Sequence, residues 1–158
     1  MLEILTPMNK IERVSRKITP SSFTAEPGIW GEVQSDGSLA NVTVNTPGTI
    51  TKLVITSASS NVYESHDVEV GRITCMESHG VRIKVDSEGF TGAIGNITVG
   101  GKLAVSDKTD GLGKLFDTSV KPNSEAGDYE VVARVEEVNT SSGYIIYRTL
   151  SPVVETVS

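Results

Sequence analysis

Apolar and polar residues alternate with a period of two through most of the chain, and the alternating runs are cut short by glycine, proline and small polar residues. The clearest run covers residues 81–86, where Val81, Ile83 and Val85 would face a core while Arg82, Lys84 and Asp86 face water. His79 and Gly80 before it, and residues 87–89 after it, supply turns. Upstream, Pro27 and Gly28 make a turn, and Ile29, Trp30 and Val33 open a strand. Residues 35–38 read as a turn, 41–45 as a short alternating strand and 46–48 as the next turn. Residues 50–59 are rich in β-branched side chains, which suit a pleated surface, and 62–77 continue the pattern. Further strands are expected around 97–99 and 103–105, followed by a tight hairpin through 110–113. Long strands over 129–138 and 144–150 are joined by 139–143, and 151–158 either add an edge strand or stay loose. Strands recurring at intervals of about 8–12 residues, with no amphipathic helix between them, predict an all-β fold. An antiparallel sandwich or a partly open barrel fits that pattern.

The first 20 residues break the rhythm. Met8, Ile11, Val14 and Ile18 are three, three and four apart, which would place them on one face of a helix. Lys10, Arg13, Arg16 and Lys17 outnumber Glu3 and Glu12 here, and Pro7 and Pro20 bracket the segment. The expected organisation is therefore an N-terminal arm over 1–20 and a β body over 21–158. The arm either packs on the body as a short helix or orders on a partner. In both cases Met8, Ile11, Arg13, Val14, Arg16, Lys17 and Ile18, with Trp30 at the start of the body, are the candidate partner-binding residues.

A chain of 158 residues can bury a core without disulfides, and one cysteine, Cys75, permits no internal disulfide. A reducing compartment follows as the expectation. The formal net charge of −6 argues against nucleic acid as a partner, because phosphate neutralisation needs concentrated Lys and Arg. No apolar run approaches the roughly 20 residues that span a bilayer, so no membrane association is expected. The N-terminal residues lack the pattern of a secretory leader.

Candidate chemistry is sparse. Ser65, His66 and Asp67 contain the residue types of a hydrolase triad, but neighbouring residues of a strand point to opposite faces, which defeats the required geometry. Cys75, His66 and His79 are spaced unlike paired zinc ligands, and Cys75 reads as a small buried apolar residue. Asp107 and Asp110 lie in a glycine-containing loop that lacks the remaining ligand positions of a calcium loop. Gly92, Gly95, Gly100 and Gly101 precede no helix that would hold a dinucleotide. Asn41, Asn96 and Asn139 begin N-x-[ST] triplets of no expected consequence without a leader. Tyr63, Tyr144, Tyr147, Trp30 and Phe116 are either packing anchors or, as an alternative, a sugar-stacking face. Neither catalysis nor a cofactor is expected, which favours a surface over a reaction as the chain's purpose.

The C-terminal residues carry a resemblance. GGKLAVSD over 100–107, GKLF over 113–116, the AGD step at 126–128, YEVVARVEEV over 129–138 and the aliphatic strand 144–150 resemble the capsid cement, or head decoration, proteins of tailed bacteriophages. In that family a G-x-x-L-x-V strand, a G-K-L hairpin and a V-V-A/G-x-V/A strand build a tulip-like β-barrel. The resemblance implies a non-enzymatic virion component, made in the host cytoplasm, that bridges major capsid protein subunits on the head exterior, often as a homotrimer. A tail, fibre or baseplate location is the alternative within the same class.

Overall fold

The computed structural model describes residues 1–18, 23, 26–42, 51–56 and 72–158, without the side chains of Met8 and Thr56. The described residues form eleven strands in two antiparallel sheets packed face to face, a β-sandwich. In chain order the strands are β1 (Leu2–Ile4), β2 (Arg13–Lys17), β3 (Trp30–Val33), β4 (Leu39–Ala40), β5 (Thr51–Thr56), β6 (Arg72–Met76), β7 (Arg82–Val85), β8 (Lys102–Val105), β9 (Leu115–Asp117), β10 (Gly127–Asn139) and β11 (Tyr144–Val157). The larger sheet has the order β1-β7-β11-β10-β8-β9, and the smaller β2-β6-β5-β3-β4. Among the described residues no closed barrel forms.

Alternation assigns each strand its inner face. Val81, Ile83 and Val85 are buried, as are Leu103, Val105, Ile145 and Tyr147 from neighbouring positions of the larger sheet. Opposite them Trp30, Leu53, Ile55 and Met76 project from the smaller sheet into the same core. Each such side chain taken out of water contributes about 1.5–3 kcal/mol before entropy is charged against it. The smaller sheet also buries its other face. Val54, Ile73 and Cys75 pack there with Leu39 and Phe23, and a parallel bridge from Ile18 to Leu39 draws its two edges together. That closeness requires Gly31, since a Cβ there would stand 2.5 Å from Leu39 Cγ and 2.9 Å from Phe23 Cζ.

Hydrogen bonds also tie the two sheets to each other. Gly113, at a φ of +76°, accepts a bond from the Trp30 amide at 2.8 Å, joining the β8–β9 hairpin to β3. Buried Glu130 on β10 accepts from the Thr51 amide at 3.1 Å and from its hydroxyl at 3.0 Å, joining β10 to β5. On the outer side of the larger sheet, Phe116 and Tyr129 meet edge to face at 5.1 Å beside Ala104, Val131 and Val157.

The N-terminal segment differs from expectation. Residues 8–18 form no amphipathic helix: a 3-10 turn at Met8–Lys10 leads into β2, which pairs with β6 from Arg13 opposite Met76 to Lys17 opposite Arg72. The same residues satisfy a period of two, and a ladder to β6 offers their backbone groups partners that an isolated helix would lack. β1 joins the other sheet beside β7, so the first 18 residues contribute to both layers. Residues 97–99 are also not a strand. A 3-10 turn at Ile94–Asn96 precedes them, and Asp117 holds Thr98 through its amide and hydroxyl. Asn41 and Val42 lie outside any strand, and 43–45 lie outside the described residues. The tail is a strand: β11 runs on to Val157, paired with β10 down to Gly127.

Candidate functional site

The candidate partner-binding residues separate into two groups. Ile11 is 8% exposed and Trp30 5% exposed, and both belong to the main core. Met8 lies in the 3-10 turn, and half-buried Ile18 packs against the small core behind the second sheet. Val14 sits opposite Cys75 on that inner face. Arg16, on the same side, donates to Glu77 Oε1 at 2.7 Å and to the Gly37 carbonyl at 2.9 Å. Lys52 reaches Glu77 Oε2 at 2.7 Å, so one carboxylate serves two cations. Burial opposes ionisation of Glu77, but hydrogen bonds from Lys52 and Arg16 outweigh it and hold the carboxyl below its ordinary range.

The remaining two, Arg13 and Lys17, are exposed on the opposite face of β2 with Ser15 between them. Arg72, directly across from Lys17, lays its guanidinium on Ser15, with Nε 2.9 Å from Oγ and Nη2 2.8 Å from the carbonyl oxygen. Three cations therefore line one edge of the smaller sheet in a chain of net charge −6. Lys17 also acts on Asp36, whose carboxyl is held low first by hydrogen bonds from Ser38 and last by Lys17. Arg72 was missed in the sequence because only the β2–β6 register brings it here, and that pairing is not a local property.

Elsewhere the surface is quieter. Cys75 is buried and burial pushes its thiol up to about 12, so it is no ready nucleophile at neutral pH. His79 is exposed, while Ser65, His66, Asp67 and Tyr63 lie outside the described residues. Among the described residues no group of three or more His, Cys, Asp or Glu is placed to hold a metal ion. Asp107 accepts a hydrogen bond from the Tyr129 hydroxyl at 2.7 Å. Trp30, Phe116 and Tyr147 are buried, and Tyr144 is tied to Glu137 at 2.9 Å and lies under Lys84, so these aromatics offer no open stacking face. A cleft of about 390 Å³ opens between Pro27, Ile29, Glu88, Leu112 and Lys114, within the size range of small-molecule sites. No described helix is long and apolar enough to cross a membrane.

No family model, curated protein or solved structure matches the chain.

Proposed function

We propose that this protein is a non-enzymatic decoration protein of a tailed-phage head, binding major capsid protein subunits on the shell's exterior as a homotrimer. The observation that carries the reading is the arrangement of the cement-like residues. The segments 100–107, 113–116, 126–138 and 144–150 occupy β8, β9, β10 and β11, which are four consecutive strands of one sheet. Residues that share a family's pattern are thus parts of one structural unit rather than scattered turns. A two-sheet body tied together through Glu130 and Gly113 also suits a rigid clamp, since a stiff element loses little entropy on binding. The exposed cations Arg13 and Lys17, with half-buried Arg72 beside them, would face acidic groups of a capsid subunit. Several copies meeting one shell would gain affinity through effective concentration.

The test is sedimentation of the purified protein with expanded heads that lack it. Saturable co-sedimentation, weakened by the paired substitution Arg13→Glu and Lys17→Glu, is the expected result. Failure to bind heads, with binding to isolated tails instead, would move the protein elsewhere in the virion.

A further inference from the structure

The larger sheet carries an arrangement of charge on its outer face that its own stability does not explain. Lys102 on β8 stands opposite Arg134 on β10, Arg134 stands opposite Arg148 on β11, and Arg148 stands opposite Arg82 on β7. The flanking residues Leu103, Ala133, Tyr147 and Ile83 are buried in the main core, so all four cations point outward. They form one transverse row across four strands. Neighbouring strands are about 4.8 Å apart, which makes the row about 14 Å long.

Like charges directly opposite one another destabilise a sheet, and this row contains three such juxtapositions. Two carboxylates offset part of it. Glu136 accepts from Arg82 at 2.8 Å and from Arg148 at 3.2 Å, and Glu155 accepts from Lys102 at 2.8 Å. Arg134, in the interior of the row, is exposed and forms no ion pair among the described residues. The side chains of Lys102, Arg148 and Arg82 keep 41–43% of their surface exposed despite these pairs.

We propose that this row is a docking surface for an acidic helix of a partner protein, one that presents a carboxylate on each turn and lies across the strands. The spacing selects that occupant. A helix repeats one face every 5.4 Å, close to the interval between strands, whereas alternate residues of an extended strand recur at about 6.7 Å. Four cations are also fewer than the 6–10 phosphate contacts that a DNA-binding surface makes. Arg134 forms the central contact, and its planar fork suits a carboxylate. The inference rests on the register of the larger sheet and stands whether or not the chain decorates a head.

The test uses the full chain and a fluorescent helical peptide bearing one glutamate per turn, with fluorescence anisotropy read at low ionic strength. Binding is expected, with an affinity that falls as salt is added. Arg134→Glu should weaken binding about tenfold or more, while Lys10→Glu, the same charge change at a 3-10 turn residue that is not part of the row, should leave it unchanged. The same Arg134→Glu substitution should raise the melting temperature, because it replaces two like-charge juxtapositions by attractive ones. A more stable variant that has lost binding marks a row kept for a partner. Absence of peptide binding to the unaltered chain would overturn the proposal. So would equal or tighter binding of a single-stranded oligonucleotide of the same charge, or an equal loss with Lys10→Glu.

Discussion

Gly31 shows how a single missing side chain holds the smaller sheet together. Trp30 points into the main core and Gly31 points the other way, where Leu39 and Phe23 come too close for any Cβ. Gly31→Ala should therefore destabilise the protein by about 1–3 kcal/mol, the usual cost of overpacking, as measured by urea denaturation. Glu77 is the second sensitive residue. Glu77→Gln would leave Arg16 and Lys52, both only 16–17% exposed, without their counter-charge. Allowing for that residual solvent, a loss of about 2 kcal/mol is expected at neutral pH. Because the folded carboxyl titrates below its ordinary value of 4.5, its stabilisation is present above that value and is lost as pH falls through the folded pKa. Glu130 has the opposite sign. Burial raises its pKa against the hydrogen bonds from Thr51, so ionisation costs stability as pH climbs from 4.5 through the folded pKa. Glu130→Gln keeps an acceptor for Thr51 and should flatten that part of the pH–stability curve, whereas Glu77→Gln should flatten the acid limb.

At the scale of elements, much of the body was legible because burial on one face imposes a period of two that nothing else produces. Residues 81–85 became β7 with Val81, Ile83 and Val85 inside, and residues 144–150 became the first half of β11. The N-terminal segment was not legible in this way. Met8, Ile11, Val14 and Ile18 fit a helical face, while Arg13 to Lys17 equally fit a strand, and the tie was broken by β6, far away in sequence. The run 97–99 misled for a related reason. Its apolar residues alternate, but the fixed carboxylate of Asp117 turns the backbone at Thr98 instead. Arg13 and Lys17 were legible as candidates, but Arg72 beside them and the row on the larger sheet were not, since both depend on registers between strands that no local pattern encodes. One element-level consequence concerns the N-terminal segment, expected either to pack on the body or to order on a partner. Removing residues 1–18 would take an edge strand from each sheet and Ile11 from the core. The truncated chain should lose its cooperative unfolding transition in circular dichroism, where a dispensable arm would have left it intact.

As a whole molecule the protein is an acidic sandwich, and seven of its 14 Lys and Arg residues lie at two places, the β2–β6 edge and the outer face of the larger sheet. Association at such surfaces is electrostatic and should weaken with salt, while the shared core keeps their geometry fixed. A protein that binds an assembled shell, and binds its unfolded subunits less well, must raise the shell's stability by mass action. The most direct measurement is calorimetric melting of expanded heads titrated with this protein. The account predicts a melting temperature that rises with added protein and levels off at a fixed ratio to capsid subunits. A melting temperature that does not move at saturating protein would contradict it.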